Sequence, residues 1–311
     1  MKKGTIVAAS VLAAVFVALI SVGTFFDLSI SRALYDGQNG FGRFFTHFAE
    51  APTYFVTALS SLVLYRSIGR KNKLYRYLKP AALVLFLAAC YLLRWWFVEE
   101  FFSEGGMNYV YAAVFALFLF SLGFLTTRKA DREVFVRLLI AATVFLATTI
   151  VAQGLTELVK YLWSRQAYST LACANGLVGT DGYTPWYVVN LGNNNPDFLV
   201  YDGEVQDYFY RAFPSAGTAS YAALLSLTIL PELFPQAKKY EPFFYAVPGA
   251  LIVLVGLGGI ISGREYLTDV VFGAAIGVLA SFGLKALLKK LWKKRVPFFQ
   301  TGEAQDNEVT A

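Results

Sequence analysis

Three short polar stretches interrupt a mostly apolar sequence, and their side chains suit the binding of a phosphate-like anion. Lys160 and Arg165 lie in the first stretch and Arg264 in the third. A guanidinium can hold two phosphate oxygens through parallel hydrogen bonds. Ser215, directly after a proline in the second stretch, resembles a helix N-cap, where free N–H groups and the helix dipole attract anions. Gly217, two residues later, lets a ligand approach the backbone closely.

The third stretch adds two carboxylates, Glu265 and Asp269, which could take part in acid–base or nucleophilic chemistry. Taken singly, the polar residues also have ordinary explanations. The long side chain of Lys160 can extend to a membrane interface, Ser215 can simply cap its helix, and Asp269 can cap the next one. The prediction of a site therefore depends on whether the fold brings the three stretches together.

Composition indicates the elements that must position these residues. The chain of 311 residues is 57% hydrophobic and only 15% charged, whereas a soluble protein carries about 25% charged residues. Runs of roughly 20 apolar residues are long enough to cross a bilayer as helices. Eight such runs predict an all-α, polytopic transmembrane bundle, with spans at 4–25, 48–67, 80–100, 108–127, 135–159, 214–234, 243–262 and 268–288.

The distribution of Lys and Arg predicts the orientation of the bundle, because cytoplasmic loops retain basic residues. With both termini in the cytoplasm, inner segments hold 20 of the 27 basic residues. The protein is thus predicted to be a multi-pass protein of the cell membrane, with all three polar stretches on its outer face. The basic residues form short clusters between apolar runs, which argues against a nucleic-acid partner despite a net charge of +6.

No linker divides the chain, so residues 1–295 are predicted to form one transmembrane domain, followed by a short disordered tail at 296–311. Residues 164–213 form a long outer loop. Its aromatic side chains, Trp186 and Tyr187 among them, predict an ordered cap over the outer end of the bundle; a mobile loop is the alternative.

The three stretches, which lie within residues 135–280, resemble the motifs of the type 2 phosphatidic acid phosphatases, a superfamily shared with vanadium haloperoxidases. The family pattern is K-x6-RP, then PSGH, then SR-x5-H-x3-D. Lys160, the run from Phe213 to Ser220, and the run from Gly263 to Asp269 match it in order and spacing. The run Thr184-Pro185-Trp186-Tyr187 resembles the longer-loop bacterial branch. The resemblance implies a six-helix core, to which two spans are added here.

The resemblance also implies a mechanism, and the chain departs from it at the reacting positions. In the family one Lys and two Arg bind phosphate, one His attacks phosphorus, an Asp orients that His, and a second His protonates the leaving group. Here Ala167 and Gly259 occupy the two Arg positions, while Gly217 and Glu265 occupy the two His positions. Asp269 retains the Asp position. The only histidine, His47, lies near the start of the second span.

These departures favour a catalytically inactive relative that binds a membrane lipid through its outer cavity. The ligands that the sequence leaves open are a phosphorylated lipid, a polyprenyl phosphate and a protein partner. No catalytic set is intact, and neither a cofactor nor a metal is predicted.

Two alternatives remain open at the level of sequence. One is an active phosphatase or phosphotransferase with altered chemistry. It would use Glu265, or a metal held by carboxylates near the outer face (Glu157, Asp202, Glu204 and Asp207). The other is a transporter of anionic substrates, against which the scarcity of charge within the spans argues.

Overall fold

The computed structural model describes residues 3–67, 75–101, 108–128, 131–173, 183–191, 200–201, 204–205 and 211–292. The tail at 296–311 and the loop residues Asp202 and Asp207 lie outside the described residues. Glu204 is described for its backbone alone.

The described chain is almost entirely helical, as the sequence predicted. Its α-helices are α1 (Lys3–Leu34), α2 (Gly40–His47), α3 (Ala51–Ser67), α4 (Tyr75–Phe101), α5 (Asn108–Arg128), α6 (Arg132–Trp163), α7 (Tyr168–Cys173), α8 (Ala216–Ala223), α9 (Leu230–Leu233), α10 (Glu241–Ile261) and α11 (Leu267–Trp292).

Within the described residues, four helical segments are long and apolar enough to cross a membrane: Ser10–Leu34, Arg132–Ala172, Pro235–Ile261 and Leu267–Trp292. Shorter apolar helices occur at Tyr77–Leu93 and Ala116–Leu125. The second predicted span, 48–67, begins three residues before its helix, because α2 ends at His47 and α3 begins at Ala51. The sixth is interrupted, since a 3₁₀ segment at Leu224–Ile229 separates α8 from α9.

The segment predicted as one outer loop, 164–213, contains regular structure that the sequence analysis missed. The short helix α7 lies near its start. Two strands of two residues each, β1 (Val200–Tyr201) and β2 (Glu204–Val205), form an antiparallel pair further on.

Close packing of α8 against α11 places the second and third polar stretches side by side. A Cβ atom on Gly273 would lie 2.2 Å from the carbonyl oxygen of Ser215, and one on Gly277 would lie 2.5 Å from that of Ala219. Glycines four residues apart allow two helix backbones to approach in this way. The backbone N–H of Ser215 also donates to the carbonyl of Asp269 at 2.9 Å.

Helix α1 packs on the other side of α11, at the level where α11 begins. Gly23 makes this approach feasible, since a Cβ atom there would lie 2.5 Å from Cγ2 of Thr268. Asp27, one turn further along α1, accepts from the backbone N–H of Thr268 at 3.1 Å. Helix α1 therefore helps to hold the start of α11.

Candidate functional site

A cavity of about 450 Å³ lies at the end of the bundle where α6 ends and where α8 and α11 begin. Its wall combines residues from the three polar stretches with residues from the turn between α2 and α3. The lining residues are Thr46, Ala49, Glu50, Glu157, Lys160, Ala167, Ser169, Arg211, Ala216, Gly217, Arg264 and Glu265. Four of the sequence candidates, Lys160, Gly217, Arg264 and Glu265, thus reach one cavity.

Lys160 is the buried cation of this cavity. It lies in the last turn of α6, with only 8% of its surface exposed. Its ammonium donates to the carbonyl oxygen of Arg211. Among the described residues no carboxylate lies within 4 Å of it. The charge is balanced at longer range by carboxylates, of which Glu265 and Glu157 act most strongly.

Two more carboxylates line the same cavity. Glu157, one turn before Lys160 on α6, forms a salt bridge with Arg211 at its exposed edge. Glu50, in the turn between α2 and α3, accepts a hydrogen bond from the hydroxyl of Tyr54. Within the described part of the chain, Glu50 has no cation at salt-bridge distance.

The first turn of α8 supplies the backbone of the cavity wall. Ser215 is the N-cap of this helix, and its Oγ accepts from the backbone N–H of Thr218 at 3.0 Å. Ser215 is fully buried, while the next two residues, Ala216 and Gly217, line the cavity. The first N–H groups of a helix have no acceptor within the helix, so this turn favours an anion.

Gly217 leaves no room for a larger residue at its position in the wall. A Cβ atom on Gly217 would lie 2.9 Å from Cβ of Ala49 and 3.0 Å from Cγ1 of Val255. Both contacts are shorter than ordinary van der Waals separations between carbon atoms. The turn between α2 and α3 therefore packs directly onto this glycine.

Gly259 and Glu265 pack closely against each other. A Cβ atom on Gly259 would lie 2.5 Å from Oε2 of Glu265, so the carboxylate occupies the space beside the glycine. This Oε2 atom is shielded from solvent and has no hydrogen-bond partner among the described residues.

Burial raises the pKa of Glu265 from 4.5 to about 7. The charge of Lys160 and a hydrogen bond with Ser215 act in the opposite direction and lower it, as does Arg264 more weakly. Glu265 therefore exchanges its proton near neutral pH. Arg264, its neighbour, is exposed.

Arg165 does not line the cavity; its donors are used within a buried network. The guanidinium, 1% exposed, forms ion pairs with Asp269 and with Asp27, the latter at 3.0 Å. It also donates to Oγ1 of Thr268 and to the carbonyl of Thr184, each at 2.8 Å. Its guanidinium carbon lies 4.1 Å from the centre of the Tyr266 ring.

Asp269 belongs to the same network. One of its carboxylate oxygens pairs with Arg165, and the other accepts from the backbone N–H of Tyr266 at 2.7 Å. Both Asp269 and Arg165 therefore hold the start of α11, and neither lines the cavity.

The described part of the long outer segment, residues 183–191, contacts the bundle through Trp186. The indole N–H of Trp186 donates to Oγ1 of Thr24 at 2.9 Å, and its carbonyl accepts from the indole N–H of Trp163 at 2.6 Å. Its ring packs against Phe272 with centroids 4.9 Å apart. Tyr187, by contrast, is 59% exposed.

His47 is not among the residues that line the cavity, although Thr46 and Ala49 are. Its ring packs against Phe48, with centroids 5.2 Å apart. Among the described residues there is also no cluster of three or more His, Cys, Asp or Glu side chains arranged to hold a metal ion.

Two residues of this region were not anticipated as site residues from the sequence. Asp27, 1% exposed, forms part of the Arg165 network, and Glu50 lines the cavity. Both stand out in the sequence as lone acids at the ends of apolar runs, which is the available signal. The partner of Asp27, Arg165, lies more than a hundred residues away and could not be named without the fold.

Comparison with known families agrees with this architecture. Residues 140–293, about half of the chain, match the model of the PAP2 superfamily. The helical fold, with several helices apolar enough to cross a membrane, is that of a membrane-type protein. The chain belongs to the PAP2 superfamily, that of the type 2 phosphatidic acid phosphatases. Searches of the curated proteins and of the solved structures give no match.

Proposed function

We propose that this protein is a non-hydrolytic member of the PAP2 superfamily that binds the phosphorylated head group of a membrane lipid in its outer cavity. The observation that carries the proposal is the packing at Gly217. Ala49 and Val255 fill the space in which the family's general-acid histidine would stand. A missing general acid costs a reaction of this kind about 10²–10⁴-fold in rate.

Loss of the nucleophile reinforces the proposal. Glu265 stands in the position of the attacking histidine, and a carboxylate there repels a phosphate dianion unless it is protonated. The second Arg position is Gly259, and the side chain of Glu265 packs over it. Arg165, the nearest candidate for the first Arg, is held by Asp27 and Asp269.

Capacity to bind an anion is retained in two features of the cavity. Lys160 is buried there without a paired carboxylate among the described residues, and the first turn of α8 contributes Ala216 and Gly217 to the wall. A buried ammonium beside a helix N-terminus is a suitable anion site. Arg264 adds an exposed cation at the edge.

The proposal includes a membrane topology with eight spans and both termini in the cytoplasm. The cavity then lies on the outer face of the cell membrane. The support is the distribution of charge, with 20 of 27 basic residues in the predicted inner segments. Lipid molecules of the outer leaflet would then reach the cavity from the side of the bundle.

The proposal is tested by assaying phosphate release from phosphatidic acid and from a polyprenyl diphosphate with the purified full-length protein. We expect release no faster than in a mock preparation, with and without divalent cations. Turnover that is present in the wild type and absent in Glu265→Ala would overturn the proposal in favour of an enzyme with altered chemistry. Phosphate uptake into vesicles would instead indicate a transporter.

A further inference from the structure

The charges in the cavity are unusual for a site that binds phosphate alone. Lys160 is the only buried cation among the described residues that line it. Arg211 is paired with Glu157, and Arg264 is exposed. Against these stand two carboxylates without a paired cation in the described chain, Glu50 and Glu265.

Carboxylates from two walls of the cavity interact with Lys160. Glu265 acts on it from the turn between α10 and α11, and Glu50 acts on it from the turn between α2 and α3. Glu265 also interacts with Ser215 at the start of α8, which places it beside the turn that favours an anion. Glu50 lines the same cavity from the turn between α2 and α3, with Thr46 and Ala49, and is close to the acid Glu157.

A hydrogen bond from Tyr54 fixes the orientation of the Glu50 carboxylate. The hydroxyl of Tyr54, one turn further along the chain, donates to one oxygen of Glu50. The carboxylate is thereby oriented, and its second oxygen remains available to a ligand in the cavity. A phosphate placed at Lys160 would add negative charge next to this acid, whereas a ligand with its own ammonium group would neutralise it.

We propose that the head group bound here is zwitterionic, a phosphate joined through a short linker to a primary ammonium, as in phosphoethanolamine. The phosphate binds Lys160 and the first turn of α8, and the ammonium donates to Glu50. This inference rests on the proposed function and specifies its ligand. The cavity volume of about 450 Å³ accommodates a head group of this size.

Native mass spectrometry of the detergent-purified full chain tests the inference with three short-chain lipids. These are phosphatidic acid without an amine, phosphatidylethanolamine with a primary ammonium, and phosphatidylcholine, whose quaternary ammonium has no N–H. We expect phosphatidylethanolamine to bind at least tenfold more tightly than either of the others. Equal or tighter binding of phosphatidic acid would overturn the inference.

Substitution of Glu50 separates the ammonium site from the phosphate site. Glu50→Gln keeps a hydrogen-bond acceptor for Tyr54 but removes the charge, and we expect it to abolish the preference without weakening the binding of phosphatidic acid. Glu50→Asp should retain part of the preference. Glu241→Gln, near the opposite end of α10, is the matched control. An unchanged preference in Glu50→Gln would contradict the assignment.

Two further results distinguish this inference from the proposed function. Binding of phosphatidic acid that Lys160→Met removes, without any preference for the amine, would leave the proposed function intact and overturn only the zwitterion. Absence of binding by all three lipids would overturn both. Free O-phosphoethanolamine that competes as effectively as the lipid would support the zwitterion and assign its source to a soluble compound.

Discussion

The Cβ atom of Ala49 lies 2.9 Å from the position that a Cβ atom on Gly217 would occupy. The turn between α2 and α3 and the first turn of α8 are thus packed together at Gly217. In the proposed function this glycine stands at the family's histidine position, so we expect that restoring the side chain alone does not restore the chemistry.

Restoration of both histidines is the first prediction. Gly217→His combined with Glu265→His should fail to produce phosphatase activity, because the imidazole at 217 would clash with Ala49 and Val255. The melting temperature should fall, since overpacking of this kind costs about 1–3 kcal/mol. Addition of Ala49→Gly should recover part of the loss. Phosphate release by the double variant, at an unchanged melting temperature, would show that the space is open.

The Arg165 network makes the second prediction. Arg165→Met leaves Asp27 and Asp269 buried without their shared cation, so the free energy of unfolding should fall by about 3–5 kcal/mol. Asp27→Asn should lower the free energy of unfolding by less in the Arg165→Met background than in the wild type, because the ion pair between Asp27 and Arg165 is already broken there. Arg32→Met, at an exposed position on α1, is the control. Equal melting temperatures for Arg165→Met and the control would contradict a structural role.

The raised pKa of Glu265 makes the third prediction. In the unfolded chain this carboxyl ionises near 4.5, whereas in the folded protein it does so near 7. The fold therefore loses stability through this group as the pH rises from 4.5 to 7, and the penalty is complete above pH 7. Glu265→Gln should be more stable than the wild type at pH 8 by roughly 1–3 kcal/mol.

The part of this difference that comes from the titration of Glu265 should shrink as the pH is lowered from about 7 and should vanish below about pH 4.5, which melting curves in detergent across the range would measure. A variant whose stability relative to the wild type is the same at pH 5 and pH 8 would rule out the titration of Glu265 in this interval.

The fourth prediction compares the two aromatic residues of the 183–191 segment. Trp186→Ala removes a partly buried ring and the hydrogen bond from its indole N–H to Thr24 on α1, and should cost about 2–3 kcal/mol. Tyr187→Ala, at an exposed ring, should change stability by less than about 0.5 kcal/mol. Hydrogen exchange of residues 183–191 should accelerate only in the first variant. Equal acceleration in both would show that Trp186 does not anchor the segment.

Much of the fold follows from the sequence, because apolar runs of membrane length leave little choice of secondary structure. Helix α6 was predicted at 135–159 and extends over Arg132–Trp163. The break between α2 and α3 was not anticipated, since Phe48, Ala49 and Glu50 continue a mostly apolar run. That break matters for the site, because its turn carries the residue that packs onto Gly217.

The site was only partly predictable, for a physical reason that Arg165 illustrates. A cation near a phosphate motif has the same sequence signature whether it faces a ligand or an internal acid. Arg165 faces an internal acid because Asp27 lies beside it, and the packing of Gly23 on Thr268 sets the position of Asp27 against α11. Lys160 has no such partner at salt-bridge distance in the described chain, and it lines the cavity as the motif predicted.

Native mass spectrometry of the full-length protein held with phosphatidic acid for several hours tests the central claim most directly, because the mass of the bound species reports both binding and hydrolysis. We predict a complex that carries the intact lipid, constant over time and lost in Lys160→Met. Accumulation of diacylglycerol with the wild type, above a mock preparation, would contradict the account.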